Sequence, residues 1–377
     1  MNPLMQLNGL GQSVWLDYLR RRFVAQELGR LVDDDGLRGV TSNPTIFEHA
    51  IGGSGDYDER LRQLAREQPG ADPAAVYEII TTEDVRAACD VLRSVYEKTE
   101  GRDGFVSIEV SPGLARDTRG SIAEAQRLWH RIDRPNVMVK IPATREGIPA
   151  IEALIAAGIN VNITLMFSLD HYDAVAHAYL RGLARCPDPR RVASVASFFV
   201  SRVDTLVDAR LDRVGTPAAL ALRGRIAVAN AKAAYARYHE LFHGAPFAAL
   251  RRRGARPQRP LWASTGTKDP AYSDVLYVEE LIGPETINTM PPSTLAAFRD
   301  HGRVRETLTA DLDRARADLA AAARLGVDVV AVGAELQAEG VAAFARSLEQ
   351  ALAAVAEKQR RVAAAPVDQQ SLRVRRS

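Results

Sequence analysis

Lysine is rare in this chain: of 49 basic residues among 377, five are lysines, namely Lys98, Lys140, Lys232, Lys268 and Lys358. Arginine serves almost everywhere that a cation alone is needed. An amine sheds its proton under modest perturbation and a guanidinium effectively never does, so each lysine invites a chemical reason. Cysteine is almost absent. Cys89 and Cys186 are far apart and form no disulfide framework, which points to reduced thiols and a cytoplasmic protein. No apolar run approaches the ~18 residues of a membrane span. The start, "MNPLMQLNGLGQSVWLDYLRR", lacks a basic region followed by an apolar core, so no secretory signal is expected. A net charge of only +2 argues against a general nucleic-acid binder. The basic clusters at 251–259 and 373–376 read as a solvated loop and a tail. No linker rich in Gly, Pro and Ser divides the chain, and no internal repeat is found. The expectation is one catalytic domain over residues 1–358 and a disordered basic tail over 359–377.

What is present is alternation. Strand-like runs stand at "SVWLD" (13–17), "LRGVT" (37–41), "FVSIEV" (105–110), "NVMVKI" (136–141), "INVNIT" (159–164), "VASVASFF" (192–199), "RPLWAS" (259–264) and "ETINTM" (285–290). Helical stripes lie between them, such as Tyr172, Val175, Ala176, Tyr179 and Leu183, and a later one is Val341, Phe344, Leu348, Leu352 and Val355. Eight strands alternating with helices predict an α/β fold, a (β/α)8 TIM barrel, with an open doubly wound sheet as the rival. Extra helices are expected between the second and third strands, over about 57–67, 73–80 and 83–99, with Thr82 as a cap.

Side chains alternate faces along a strand. In "NVMVKI", Val137, Val139 and Ile141 share one face and Lys140 takes the other, with Pro142 expected to stop the ladder just beyond. Ser107 and Glu109 oppose Val106, Ile108 and Val110. Asn160, Asn162 and Thr164 oppose Val161 and Ile163, and Asp17 opposes Val14 and Leu16. Each strand thus carries a polar group near its C-terminal end on the face away from the helices. In a barrel those ends converge where active sites of this fold lie. A lone edge lysine needs no such company, so Lys140 reads as part of a convergent set with Asp17, Glu109, Asn162 and Thr164.

A lysine amine attacks a carbonyl only when neutral, and its unperturbed pKa of about 10.4 keeps it charged unless it is desolvated. The resulting Schiff base is an electron sink, so a neighbouring carbon–carbon bond can break. Carboxylates and a hydroxyl then manage the proton and water traffic.

The segments "TSNPTIF" (41–47), "VSIEVSP" (106–112), "NVMVKIPAT" (136–144), "NVNITLMFS" (160–168), "VASFFVSRVD" (195–204), "WASTGTKDP" (262–270) and "INTMPPSTLAAF" (287–298) carry a family resemblance. From about residue 7 to about 355 the chain resembles the transaldolases of the longer bacterial type. The resemblance implies a barrel in which Lys140, on the fourth strand, forms the imine. Asp17 would be the acid/base, and Glu109 and Thr164 would hold the catalytic water. Asn43 and Asn162 would bond substrate and enamine, with Thr41, Ser197 and Phe199 lining the site, and Arg202, Ser264 and Lys268 would hold phosphate. The loop "STGTK" departs from the Ser-aromatic-Arg pattern of other branches, leaving Ser264, Thr267 and Lys268 as alternatives there. The implied reaction passes a dihydroxyacetone unit from sedoheptulose 7-phosphate to glyceraldehyde 3-phosphate in the pentose phosphate pathway. It implies no metal and no organic cofactor, and sugar phosphates as the only partners of a monomer or homodimer.

Three alternatives compete with this reading. A fructose 6-phosphate aldolase would use the same lysine, but those relatives manage water with tyrosine and glutamine, where this chain has Phe199 and Glu109. "HELFH" (239–243) matches a zinc-peptidase motif. No Asp, Glu or His follows between 244 and 268 to supply a third ligand, so a chance match is the reading. A barrel that binds sugar phosphates without catalysis is disfavoured by Asp17, Glu109 and Lys140 occurring together.

Overall fold

The computed structural model describes residues 2–364. Eight parallel strands among them close into a barrel in sequence order: β1 (Gln12–Asp17), β2 (Gly39–Thr41), β3 (Phe105–Glu109), β4 (Val137–Pro142), β5 (Val161–Met166), β6 (Ser194–Phe199), β7 (Arg259–Ala263) and β8 (Thr286–Met290), which returns to β1. Helices fill the intervals, so the structure is the (β/α)8 architecture and not the open sheet. Val14, Leu16, Val106, Ile108, Val139, Ile141, Val161 and Ile163 are all buried, on the strand faces opposite the polar set.

Register puts the polar residues in neighbouring rows. Asp17 pairs with Thr41, Glu109 with Lys140, Lys140 with Asn162, and Pro142 with Thr164. Paired residues on adjacent strands share a face, so these side chains all point into the barrel. Pro142 is the last residue of β4 and not the first beyond it.

The interior below the site is packed with large side chains. Trp15 and Met138 are fully buried and Phe105 nearly so. The indole of Trp15 occupies the space beside Gly39, where a Cβ would stand 2.3 Å from it. Its Nε1 donates to Asp103 at 2.7 Å, and Arg259 donates to Ser13 at 2.6 Å. Ser13 in turn bonds Asp103, closing the N-terminal end with a polar knot.

Two local expectations need correction. The Pro73–Val91 helix runs unbroken past Thr82, whose hydroxyl bonds back to the Glu78 carbonyl at 2.6 Å instead of capping a new helix. A threonine can satisfy its hydroxyl this way in mid-helix, so its presence alone does not mark a start. The long helix Val329–Ala364 also continues past the expected boundary at 358. The rest of the expected tail, residues 365–377, lies outside the described residues.

That long helix crosses the C-terminal ends of β4 and β5. Gln337 donates to the carbonyls of Ala143 at 2.9 Å and Leu165 at 3.0 Å. No described helix is long and apolar enough to cross a membrane. The "HELFH" motif ends the Ile226–Phe242 helix, and His243 Nε2 lies 2.6 Å from Glu285, at the N-terminal end of β8. Among the described residues no group of three or more His, Cys, Asp or Glu could hold a metal ion. Cys89 and Cys186 are both buried free thiols.

Candidate active site

At the C-terminal mouth of the barrel the Lys140 side chain is 5% exposed as a residue, which puts its amine inside the protein. Nζ donates to the Ser42 carbonyl at 3.0 Å and lies 3.0 Å from Glu109 Oε2. Sequence explains why a backbone oxygen is there. Ser42 follows β2 directly, and its hydroxyl donates to the Ser107 carbonyl at 2.7 Å, anchoring the turn. Asn43 then caps the Pro44–Gly52 helix, accepting from Ile46 N at 3.0 Å, and Pro44 starts that helix where no N–H is needed.

Burial holds the Glu109 carboxyl above its usual range; Lys140 opposes the shift and Asp17 adds to it. Asp17 is raised for the same first reason, burial, against the pull of Lys140, Thr41, Arg202 and Lys268. Thr41 donates to Asp17 at 2.6 Å and lies 2.8 Å from Thr289. With its single proton committed to Asp17, Thr41 accepts from Thr289. Asn162 is held from two sides: its Nδ2 donates to Ser107 at 2.9 Å, and its Oδ1 accepts from Ser197 at 2.6 Å. Thr164 Oγ1 is buried without a hydrogen-bond partner among the described residues, and buried Glu109 Oε2 has none there beyond its ion pair with Lys140. Unpaired buried oxygens are costly, and a bridging water is the ordinary remedy.

The mouth encloses a cavity of about 160 Å³. Asp17, Thr41, Asn43, Lys140, Thr164, Ser197, Phe199, Arg202, Ser264 and Lys268, all expected from sequence, line it. Asn162 sits beneath the floor, bonded to Ser197, and Glu109 stands behind Lys140. Thr267 turns away and donates to the Ser273 carbonyl at 2.8 Å, whereas Ser264 and Lys268 face the cavity. Arg202 lies 5.5 Å from the centre of the Phe199 ring, and Phe199 packs on Phe167 at 5.1 Å. Burial presses the Arg202 pKa down, opposed by Asp17, Glu339 and Glu109. Ser264 has a left-handed backbone, φ 55°, and its hydroxyl lies 3.0 Å from that of Ser201, the first residue of the Ser201–Val214 helix. That helix start, Arg202 and Lys268 make this side of the mouth electropositive.

Sequence reading missed Thr289, Pro291 and Ala263, which also line the cavity, and the Ser42 carbonyl. It placed Phe344 in an amphipathic stripe without seeing that this ring reaches the mouth. Thr289 shares its strand face with apolar Ile287, so the opposition of polar to apolar residues that marked Lys140 does not mark it. Nothing in the sequence marks Phe344, because the path of its helix across the barrel is a tertiary fact.

The transaldolase/fructose-6-phosphate aldolase family matches residues 14–355. The transaldolase of Thiobacillus denitrificans (strain ATCC 25259 / T1) is 51% identical over 93% of this chain and 98% of its own length. Transaldolase 1 of Streptomyces coelicolor is 53% identical, over 90% of this chain and 91% of its own. That of Thermobifida fusca (strain YX) is 51% identical, over 92% and 96%.

Proposed function

The chain belongs to the transaldolase/fructose-6-phosphate aldolase family, and from that premise we propose that it transfers a dihydroxyacetone unit from sedoheptulose 7-phosphate to glyceraldehyde 3-phosphate, giving erythrose 4-phosphate and fructose 6-phosphate. The observation that carries this reading is the buried Lys140 amine, 3.0 Å from Glu109, in a mouth shared with Asp17. Lys140 gives a proton to its surroundings and attacks the ketone carbon. Glu109, made more basic by burial, takes up and returns that proton as the carbinolamine loses water. Asp17 then removes the proton from the hydroxyl on the far carbon of the bond to be cut, the carbon that becomes the leaving aldehyde. The carbon–carbon electron pair passes to the iminium nitrogen as an enamine, and the aldehyde leaves. The acceptor aldehyde enters, the steps reverse, and water regenerates the amine. Glu109, beside the amine, and Thr164, through its unpaired hydroxyl, hold that water. Asn43 and Asn162 position substrate and enamine, with Asn162 acting from beneath the floor, and Thr41, Ser197 and Phe199 shape the pocket. Arg202, Ser264 and Lys268 take the phosphate. The lysine itself is the electron sink. We place the reaction in the non-oxidative pentose phosphate pathway of the cytoplasm, with sugar phosphates as the partners of a monomer or homodimer.

Borohydride reduction in the presence of fructose 6-phosphate, followed by peptide mass mapping, tests the reading. A covalent adduct on Lys140, lost in Lys140→Met, is expected, and a label mainly elsewhere overturns it. The family also includes fructose 6-phosphate aldolases. Glu109 beside the lysine, and Phe199 with no hydroxyl to hold water, favour the transferase. Dihydroxyacetone release without an acceptor aldehyde would favour the aldolase.

A further inference from the structure

Glu109 belongs to two environments. It touches Lys140, which lines the mouth, yet Glu109 itself lines a second cavity of about 270 Å³ on the other side of the β2–β3 ends. The Pro44–Gly52, Pro73–Val91, Thr118–Ile132 and Val329–Ala364 helices bound this cavity. Ser42, whose carbonyl accepts from Lys140, lines it too, and Asn43 forms a wall of both. The two residues that touch the amine therefore also border a cavity other than the substrate mouth.

The lining is mixed: Phe47, Ile108 and Leu352 are apolar, while Tyr77, Glu124 and Arg127 supply polar groups. Tyr77 is partly buried and close enough to Glu109 and Glu124 that both add to the upward shift of its phenol, which is caused first by burial. Glu124 accepts from Ser111 N at 3.1 Å and is 21% exposed, beside the half-exposed Arg127 at 4.0 Å. Ala74, exposed in the first turn of the Pro73–Val91 helix, stands on the lining at the outer end. The space is large enough for several waters with polar partners along their way.

We propose that this cavity is a water passage serving the back of Glu109, separate from the route of the substrate. The inference rests on the Schiff-base reading above. Imine formation condenses the lysine amine with the ketone carbon: the C=O bond is lost, that oxygen leaves with the two amine protons as water, and a C=N bond forms. At that moment a phosphorylated ketose fills the mouth, over which Phe344 also lies. The water is released beside Glu109 and leaves past Tyr77 towards Glu124. It returns the same way to hydrolyse the imine.

A passage changes rates in both directions and leaves the imine equilibrium unmoved. Ala74→Cys supplies an exposed thiol at the outer end, since Cys89 and Cys186 are both buried. The full chain carrying this substitution is compared uncapped and after capping with methyl or benzyl methanethiosulfonate. Exchange of the C2 oxygen of fructose 6-phosphate with ¹⁸O-water is followed at saturating substrate. Uncapped protein should match the parent, and the benzyl cap should slow exchange at least about fivefold, with the methyl cap between. The borohydride-trapped fraction and the melting temperature should stay constant. Exchange in the benzyl-capped protein within about twofold of uncapped overturns the passage. Slowing accompanied by a lowered trapped fraction or melting temperature also overturns it, because the cap would then be acting through the fold. Absence of any Lys140 adduct in the parent would remove the Schiff-base reading itself, so the two failures are distinct.

Discussion

Asn162 accepts a 2.6 Å hydrogen bond from Ser197, which lines the active-site mouth, and the bond ties β5 to β6. Because Asn162 also donates to Ser107 on β3, its amide has one orientation, with its oxygen towards β6 and its nitrogen towards β3. Ser197→Ala leaves a buried carbonyl oxygen unpaired, at a cost of about 1–3 kcal/mol. The expected result is a lower melting temperature together with a fall in kcat, while KM changes little. An unchanged kcat would mean that the amide orientation does not reach the chemistry.

Glu109 has a different kind of influence, through the proton it shares with Lys140. Glu109→Gln keeps the shape and removes the base. General acid–base assistance of this kind is worth about 10²–10⁴ in rate, so kcat should fall within that range. Single-turnover trapping should show the Lys140 adduct forming slowly and then reaching a normal yield, because the variant retains the nucleophile.

The polar ends of β1, β3, β4 and β5 were legible because those strands alternate polar with apolar residues, and β4 announced Lys140 by opposing it to Val139 and Ile141. The convergence of Asp17, Glu109, Lys140 and Thr164 then followed from barrel closure alone. What the sequence withheld depended on long-range placement. Phe344 reaches the mouth because Gln337 ties its helix to β4 and β5, and the Ser42 carbonyl carries no side-chain signature. Thr82 misled because a hydroxyl that caps helices can equally bond back within one.

Stability should depend on pH through Asp204, which is buried outside the mouth and accepts from Ala227 N at 2.7 Å and Tyr277 at 2.9 Å. Burial raises its pKa from 3.8 to about 7. Between those values the folded state binds a proton that the unfolded state does not. The contribution is therefore complete below pH ~4 and is lost as pH rises through ~7, on the order of 4 kcal/mol in all. Urea titrations of the parent and of Asp204→Asn at pH 5 and pH 8 check the sign. The parent should lose more stability over that interval than the variant.

Gly39 is fixed by its neighbour. An added methyl would stand 2.3 Å from the Trp15 indole, and the ring has no room to retreat because Nε1 is held by Asp103. Gly39→Ala should destabilise by about 1–3 kcal/mol through overpacking. Trp15→Phe, itself destabilising, should recover part of that loss when combined with it. A double variant whose losses simply add would show that the contact is not the cause.

The long helix tests how far the mouth depends on a distant tie. Gln337 is the side chain that bonds the carbonyls at the ends of both β4 and β5, just beyond Pro142 and within β5 at the irregularity where Leu165 has φ 54°. Seven residues on, and therefore two turns further along the same face, Phe344 lines the cavity. Gln337→Ala frees both carbonyls and loosens that helix from the barrel. The chemistry at Lys140 is untouched, so the trapped-imine yield at saturating fructose 6-phosphate should be normal. Substrate affinity should fall, with KM raised several-fold, on the order of 1–2 kcal/mol for the lost hydrogen bonds. Phe344→Ala should raise KM in the same direction, and the double variant should be no worse than the more affected single one if both act through one helix position. A change confined to kcat would instead assign Gln337 to the ends of β4 and β5 themselves.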